Sequence, residues 1–291
     1  RACCEDNLGN IWIGTFNGLN RYNKITGLFQ NHTANDTQAD GLTHSSIWCI
    51  VKDNQGTLWL GTYFGGVNYF NPEYEIYTRY SYSSNEKKGL SNPVVGRTIE
   101  DRDGNLWIGT EGGGLNYYNR RTREFKWYRP QEGRNSISHN NVKALYYDAD
   151  KEIIWIGTHL GGLNKLDIRS GHFTHYRMEE GNPNTLPSDI IRDIIPYKSL
   201  LIIATQNGVC LFDPANGQCQ QLFKDSKEGK SIKMVADVTF DSEGTLWIAA
   251  TGEGVFSYRF DTCRLTNYRH DATNPNSLSN NNVNNITQDS K

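Results

Sequence analysis

Leu106-Trp107-Ile108-Gly109-Thr110 is the stretch that decides the fold, because similar pentapeptides recur along the whole chain. The tryptophan position falls at residues 12, 59, 107, 155, 202 and 247, so successive copies are 45 to 48 residues apart. A fixed period of this length, carried by strand-forming residues, is typical of repeat architectures. The other copies are Ile11-Trp12-Ile13-Gly14-Thr15, Leu58-Trp59-Leu60-Gly61-Thr62, Ile154-Trp155-Ile156-Gly157-Thr158, Leu201-Ile202-Ile203-Ala204-Thr205 and Leu246-Trp247-Ile248-Ala249-Ala250.

One repeat contains enough signals for four short strands. Val95–Glu100 is rich in β-forming residues and stops at the turn-forming residues Asp101-Arg102-Asp103-Gly104. Leu106–Thr110 follows as a second strand, and a glycine turn separates it from a third strand at Leu115–Tyr118. A polar turn then leads to a fourth strand at Glu124–Arg129. The pattern predicts an antiparallel, four-stranded meander.

Such a sheet has apolar residues on both faces, so it is not stable alone and must pack between neighbours. Radial stacking of these sheets gives a β-propeller, whereas the coils of a linear β-solenoid usually repeat in about 20–30 residues. We therefore predict an all-β protein, a β-propeller of four-stranded antiparallel blades, with six full blades plus the first strand of a seventh. The tryptophans predicted to pack between blades are Trp12, Trp59, Trp107, Trp155 and Trp247.

The repeat runs through the chain without a linker or a low-complexity segment, which predicts one continuous propeller domain over residues 1–291. Whether the ring closes with six or seven blades is left open by the sequence. The predicted blades are about 1–44, 45–91, 92–139, 140–188, 189–232 and 233–279, and 280–291 is the predicted opening strand of a further blade.

Composition excludes several classes of protein. The formal net charge of −2 gives no general attraction to nucleic acid, so no nucleic acid contact is predicted for this domain. No apolar run approaches the roughly 18 residues that a membrane span needs. The chain does not begin with methionine, and we expect it to be a piece of a longer protein. Cys210 and Cys219 flank a turn and could face each other across a hairpin, either as free thiols or as a disulfide.

A composite motif links the chain to a known family. It consists of Asp-x-x-Gly-Asn-Leu-Trp-Ile-Gly-Thr at 101–110, Gly-Gly-Leu-Asn at 113–116 and Asn-x-x-Ser-Leu-Ser-x-Asn-x-Val at 274–283. This motif resembles the two-component regulator propeller repeat. The resemblance implies the periplasmic sensor region of a membrane-anchored hybrid two-component system of gut Bacteroidetes, which senses glycan fragments and controls polysaccharide-utilisation genes through a phosphorelay. It also implies, elsewhere in the parent chain, a second propeller, a β-sandwich domain and a histidine kinase, and it makes a homodimer plausible.

No catalytic residue, metal site or cofactor is predicted for this chain. An aspartate recurs six residues before the tryptophan, next to a turn glycine, and is best explained as a turn former. Glycoside cleavage needs two carboxylates roughly 5–10 Å apart, and the acids outside the repeat pattern, such as Glu111, Asp189 and Glu253, show no pairing by spacing. The recurring aspartates are Asp6, Asp53, Asp101 and Asp241.

Function in a repeat protein is expected where the repeats differ, and two variable sets are predicted to converge on one face. The first set starts the inner strands and comprises Arg1, Trp48, Gly96, Lys143, Arg192, Ala236 and Asn284. The second set follows the Gly-Thr and comprises Phe16, Tyr63, Phe64, Glu111, His159, Gln206 and Glu253.

Aromatic side chains with Arg and Lys suit a glycan site, because rings stack on sugar faces and cations hold carboxylates or sulfates. The residues predicted to bind an acidic or neutral oligosaccharide are Trp48, Tyr63, Lys143, His159 and Arg192, unless they are ordinary rim residues facing water.

These observations favour a non-catalytic, extracytoplasmic sensor propeller that binds a glycan fragment, or relays its binding, to a kinase elsewhere in the parent chain. Two alternatives belong to other classes of protein. The first is a polysaccharide lyase or hydrolase built on a propeller, and the second is a protein-interaction or dimerisation scaffold.

Overall fold

A computed structural model describes residues 1–34, 41–71, 76–226 and 229–289. Parts of four predicted segments therefore lie outside the described residues, including the last two residues of the predicted seventh blade. The chain divides into two compact units. The first comprises Arg1–Ile154, Leu166–Phe173 and Asp289, and the second comprises Trp155–Lys165 and 174–288.

The described strands form six four-stranded antiparallel sheets, and in each sheet the strands are neighbours in chain order. The predicted fold is confirmed: the protein is a six-bladed, all-β propeller. The first three sheets lie in the first unit, the last two lie in the second unit, and the residues of the fourth sheet are divided between them.

The strands of the first three sheets are β1 (Ala2–Glu5), β2 (Ile11–Thr15), β3 (Gly18–Tyr22), β4 (Phe29–His32), β5 (Ile47–Lys52), β6 (Leu58–Thr62), β7 (Val67–Asn71), β8 (Ile76–Tyr80), β9 (Val95–Glu100), β10 (Leu106–Thr110), β11 (Gly114–Asn119) and β12 (Glu124–Tyr128). Those of the last three are β13 (Val142–Asp148), β14 (Ile153–Thr158), β15 (Leu163–Asp167), β16 (Phe173–Tyr176), β17 (Ile191–Tyr197), β18 (Leu200–Thr205), β19 (Gly208–Phe212), β20 (Cys219–Gln221), β21 (Val235–Phe240), β22 (Leu246–Ala250), β23 (Gly254–Arg259) and β24 (Arg264–Tyr268). The helical turns among the described residues are two short 3-10 segments, so the described chain contains no helix that could cross a membrane.

The repeated tryptophans pack where one sheet meets the next. Trp12 of β2 meets Phe70 of β7 with ring centroids 5.1 Å apart and an angle of 65° between the ring planes. Trp59 of β6 lies 6.4 Å from the ring of Tyr118 on β11 and belongs to a core shared with the third sheet. Trp12, Trp59, Trp107 and Trp155 are buried, whereas Trp247 is half-buried. Trp155 likewise meets Phe212 of the next sheet, with ring centroids 5.5 Å apart. The ring neighbours of Trp107, by contrast, are Tyr117 and Tyr128 of its own sheet.

The recurring aspartate forms the turn, as predicted, and also holds the tryptophan. The Asp101 carboxylate accepts backbone N–H bonds from Asp103 at 3.0 Å and Asn105 at 2.9 Å. Its second oxygen accepts the indole N–H of Trp107 at 3.1 Å. One carboxylate thus fixes both the turn and the ring orientation. The same indole bond joins Trp12 to Asp6, Trp59 to Asp53 and Trp247 to Asp241.

The fourth repeat lacks this bond. It has one extra residue before its second strand, so Asp148 stands seven residues before Trp155 instead of six. The Asp148 carboxylate instead accepts a bond from the Lys151 ammonium at 2.9 Å. The buried indole Nε1 of Trp155 has no hydrogen-bond partner among the described residues. The extra residue thus coincides with the loss of one polar contact, and the ring is held by its packing and by the Lys165 ammonium 6.0 Å from its centroid.

The glycine after the repeat tryptophan is needed for space. A Cβ at Gly61 would lie 2.6 Å from the Sγ of Cys49 and 2.6 Å from a methyl carbon of Val95, which begins the next inner strand. We expect Gly61→Ala to reduce the free energy of unfolding by about 1–3 kcal/mol, because the crowded core must shift to accept the methyl group. Urea unfolding followed by far-UV circular dichroism measures the difference. Ala249→Gly is the control, since the sixth repeat already accommodates a methyl group there, and an equal loss in both variants would contradict the steric explanation.

Residues 280–289 were predicted to open a seventh blade as a strand, and this detail is wrong. No strand is formed over 280–289 in the described chain, because a strand requires a ladder partner and no described strand pairs with this segment.

The segment nevertheless occupies the position of an inner strand. The Asp237 carboxylate of β21 accepts the backbone N–H of Ile286 at 2.8 Å. One blade earlier, the Asp193 carboxylate of β17 accepts the N–H of Val238 in β21 at 3.3 Å. The segment is therefore held against β21 by the same kind of bond that holds β21 to β17.

Candidate functional site

The inner strand of the second blade contains a β-bulge at Trp48. Ile47 lies opposite Thr62 and Cys49 lies opposite Gly61, so Trp48 has no opposing residue across the β5–β6 ladder. A bulge adds one residue to one strand and turns its side chain away from the regular alternation. The β-bulge therefore determines the direction of the Trp48 side chain.

The same irregularity recurs in the second unit. Arg192 lies between Ile191, which faces Thr205, and Asp193, which faces Ala204. Ala236 occupies the corresponding place in β21, where the register shifts between Val235 and Asp237. At these positions, the first variable set from the sequence thus coincides with a β-bulge that recurs from blade to blade. Each bulge presents a side chain that the ladder does not constrain.

Backbone contacts place the second variable set next to the first. Within the first unit, Glu111 forms an isolated antiparallel bridge with Asn141, two residues before Lys143. Within the second unit, His159 forms the same kind of bridge with Ile190, two residues before Arg192. The loop of one repeat therefore lies beside the inner-strand start of the following repeat.

In the first unit these positions create a group of rings and charges that we call the aromatic–cation cluster, defined by Arg1, Phe16, Trp48, Tyr63, Phe64 and the ion pair of Lys143 with Glu111. The rings of Trp48 and Tyr63 have centroids 5.6 Å apart, and those of Tyr63 and Phe64 are 4.4 Å apart. Phe16 is 66% exposed and Phe64 is 59% exposed, although large apolar rings are usually buried. The cluster therefore offers ring surface to solvent.

The Arg1 guanidinium lies against two of the rings. Its central carbon is 3.3 Å from the Phe16 centroid and 4.1 Å from the Trp48 centroid, and it donates a hydrogen bond to the Ser46 hydroxyl at 3.1 Å. Burial lowers the pKa of this guanidinium, while nearby Tyr63 and Glu111 raise it. An arginine remains charged under these influences, so the cluster carries a fixed cation.

The second cation is Lys143 on β13. Its ammonium lies 5.8 Å from the Trp48 centroid and forms an ion pair with the Glu111 carboxylate. Both side chains of this pair are mostly buried. With Arg1 and Lys143 positive and Glu111 negative, the cluster has one excess positive charge, and an acidic ligand would compete with Glu111 for the ammonium.

Three of the five residues predicted to bind a ligand, Trp48, Tyr63 and Lys143, come together in this cluster. The other two, His159 and Arg192, belong to the second unit and lie near the start of β17. The sequence prediction omitted Arg1, Phe16 and Phe64 from the site. All three belong to the variable sets, which was the signal available for them.

The three acids named in the sequence analysis, Glu111, Asp189 and Glu253, each lie near a cation. Besides Glu111, the Glu253 carboxylate lies 2.5 Å from an Arg269 nitrogen, and the Asp189 carboxylate lies 3.9 Å from an Arg177 nitrogen. Among the described residues, no group of three His, Cys, Asp or Glu side chains is placed to hold a metal ion. The acids are thus arranged as ion pairs in separate places.

Comparison with known proteins identifies the repeats. The model of the family described as two component regulator propeller matches residues 41–64, 89–112 and 136–159. These three segments are therefore two component regulator propeller repeats, as the sequence motif suggested. No match was found among curated protein sequences.

Solved structures with the same fold include two from Bacteroides thetaiotaomicron. The extracellular domain described as that of the hybrid two component system BT3049 is 21% identical with a TM-score of 0.84, over 99% of this chain and 37% of that one. The extracellular domain described as that of the one component system BT4673 is 21% identical with a TM-score of 0.58, over 93% of this chain and 43% of that one. The chain thus spans less than half the length of these relatives.

An enzyme shares the fold as well. A virginiamycin B lyase from Staphylococcus aureus is 12% identical with a TM-score of 0.68, over 92% of this chain and 83% of that one. At these identities the likeness concerns the fold alone, and function has to be argued from individual residues.

Proposed function

We propose that this chain is a non-catalytic, extracytoplasmic sensor propeller of a hybrid two-component regulator. In this proposal it binds a glycan fragment and relays the binding to a histidine kinase elsewhere in the parent chain. The observation that carries the proposal is the aromatic–cation cluster, which gathers exposed rings and two cations around the bulge residue Trp48. The family assignment and the extracellular domains of similar fold support the sensor role.

The chemistry of the cluster suits a sugar ligand. Aromatic rings offer flat apolar surface, while sugars present one apolar face of C–H groups and a polar rim. Arg1 and Lys143 can hold a carboxylate or sulfate by charge-assisted hydrogen bonds. If an anionic group of the ligand displaced the Glu111 carboxylate, the mostly buried Lys143 ammonium would still have an ionic partner. We therefore expect an oligosaccharide, with a preference for acidic members.

The pairing of the acids argues against the alternative of a lyase or hydrolase. A glycosidase needs one carboxylic acid that donates a proton and a second carboxylate within roughly 5–10 Å across the scissile bond. Glu111, Glu253 and Asp189 each lie near a basic side chain instead. Each of these three carboxylates thus has a cation as its partner in the structure.

Location and partners follow from the same proposal. The domain lies in the periplasm as part of a membrane-anchored sensor, and a second propeller and a β-sandwich domain of the parent chain are its neighbours. The parent forms a homodimer, which would pair its kinases. If the isolated chain acted instead as a dimerisation scaffold, light scattering would give twice the monomer mass in the absence of any glycan.

The proposal predicts the effect of removing the central ring. Trp48→Ala is expected to weaken oligosaccharide binding about 10- to 100-fold, because buried aromatic anchors carry much of the energy of a binding site. Isothermal titration calorimetry against a panel of neutral, uronate-containing and sulfated oligosaccharides measures the change. Phe29→Ala is the matched control, since Phe29 is an exposed ring of the first blade outside the cluster.

Unchanged affinity of Trp48→Ala for the best oligosaccharide of the panel would remove the cluster from the binding site. Absence of binding by the wild-type chain to every member would contradict the glycan proposal as a whole. Cleavage products in the same incubations would favour the lyase or hydrolase alternative, and mass spectrometry of the sugars detects them.

A further inference from the structure

The fifth sheet contains a close pair of thiols. The Sγ atoms of Cys210 on β19 and Cys219 on β20 are 2.6 Å apart, and both side chains are buried. Cys210 lies opposite Gln221 and Cys219 lies opposite Phe212, so the cysteines are diagonal neighbours on one face of the strand pair. The remaining cysteines are Cys3, Cys4, Cys49 and Cys263.

The Sγ–Sγ distance of 2.6 Å lies between a non-bonded contact and a disulfide bond. Diagonal positions on regular strands are about 7–8 Å apart, which is longer than most disulfides span. Here the two side chains point toward each other, so that their sulfur atoms are much closer than the diagonal spacing of the strands. Non-bonded carbon atoms prefer about 3.5–4.0 Å, and sulfur is larger, whereas a disulfide bond measures about 2.05 Å. Closing the remaining gap requires a shift of about 0.5 Å.

The strand that this pair would fasten is the shortest of the described outer strands. β20 has three residues, whereas the outer strands β4 and β16 have four, and β8, β12 and β24 have five. A shorter strand makes fewer ladder bonds and offers less side-chain surface to the neighbouring sheet. Cys219 is the first residue of β20, and its backbone N–H donates to the Asn184 carbonyl at 2.7 Å.

We propose that Cys210 and Cys219 form a disulfide that fastens the short outer strand β20 to β19. The bond closes a small loop around the turn at residues 213–218 and keeps the outer edge of the fifth blade in place. This is a cross-linking site within one blade, and it concerns the stability of the scaffold rather than ligand binding.

The reaction requires an oxidant, which we take to be a disulfide of low molecular weight or of a thiol–disulfide oxidoreductase. One cysteine thiolate attacks the oxidant disulfide, forms a mixed disulfide and releases one reduced thiol. The second cysteine then displaces the other oxidant sulfur, so two electrons pass to the oxidant, which leaves as two thiols. The proposed extracytoplasmic location matters here only as the source of the oxidant.

The timing follows from burial. Burial raises the pKa of the Cys210 thiol in the folded sheet, which disfavours the thiolate that the exchange needs. Exchange is therefore expected while the β19–β20 hairpin is still open. Once β20 has packed, the same burial protects the bond from reductants.

The test counts thiols in the purified chain. The protein is refolded with oxidised glutathione, denatured in guanidinium, alkylated with iodoacetamide and weighed by intact mass spectrometry. We expect two fewer alkyl groups than in a sample reduced first with dithiothreitol, and a linked peptide that contains Cys210 and Cys219. The oxidised protein is also expected to have an unfolded-to-folded ratio about 10- to 100-fold lower in urea.

Two variants make the result specific. Cys219→Ser should abolish both the linked peptide and the stabilisation by oxidant, whereas Cys263→Ser, at an exposed cysteine, should preserve both. Six alkylated cysteines after oxidation, or a linked peptide that joins any other pair, would overturn the proposal. Neither result depends on sugar binding, so failure of the glycan proposal leaves this one standing.

Discussion

Trp107→Ala is expected to lower the free energy of unfolding by about 3–5 kcal/mol, the cost of removing a large ring from a packed core. Trp107 is buried on β10, with its ring 4.7 Å from that of Tyr117 and 5.7 Å from that of Tyr128. Its loss leaves a cavity and also leaves the Asp101 carboxylate without its indole donor. Urea unfolding followed by far-UV circular dichroism measures the loss without relying on the deleted fluorophore.

The matched control is Trp247→Ala at the same position of the sixth repeat. Trp247 keeps its bond to Asp241 at 2.8 Å, but the residue is half-buried. Since the transfer energy follows the apolar area removed from water, we expect about half the loss seen for Trp107. Equal losses in both variants would mean that the hydrogen bond to the aspartate, rather than the packing of the ring, provides most of the tryptophan's contribution to stability.

Asp53→Ala is expected to cost about 3–5 kcal/mol, because it breaks a buried ion pair. The partner, Arg120, then keeps only its longer contact with the Glu100 carboxylate, at 3.4 Å, among the described ion pairs. The Asp53 side chain is fully buried, and it accepts the indole N–H of Trp59 at 2.7 Å. It also lies 2.6 Å from a guanidinium nitrogen of Arg120, which comes from the next sheet. Backbone N–H groups of Gln55 and Thr57 complete the contacts at 2.8 and 2.9 Å.

The control for Asp53 is Asp148, the related turn residue of the fourth repeat. Its carboxylate pairs with the exposed Lys151 and does not anchor a tryptophan, so Asp148→Ala should cost about 0–1 kcal/mol. Thermal unfolding of both variants under one condition compares them. A small loss for Asp53→Ala would show that the pair with Arg120 contributes little beyond the cost of desolvating it.

Much of the scaffold could be predicted because the repeat encodes it several times. The period, the strand-forming pentapeptide and the Asp–Gly turn gave the four-stranded sheets and the tryptophan packing. The bond from the aspartate to the indole was not foreseen, since a spacing of six residues does not show that a tight turn returns the chain onto the ring. For the same reason, the sequence did not show that the extra residue before Trp155 removes this hydrogen bond from the fourth repeat.

The aromatic–cation cluster was harder to predict, because its members come from different repeats. Trp48 stood out since it departs from the repeat pattern, but no residue signal indicated that a β-bulge orients its side chain. Arg1 and Phe16 were grouped as variable residues without being assigned to the site, because the contact of Arg1 with both Phe16 and Trp48 depends on how one sheet packs on the next. The pairing of Lys143 with Glu111 depends on the same register and was missed for the same reason.

The bulge at the head of the inner strands has a consequence for the evolution of this scaffold. A bulge residue has no cross-strand partner, so its identity does not affect the pairing of the strands. Tryptophan, arginine and alanine are therefore all compatible with the ladder at positions 48, 192 and 236. The side chain displayed at these positions can therefore change by point substitution, while the architecture that displays it is inherited intact.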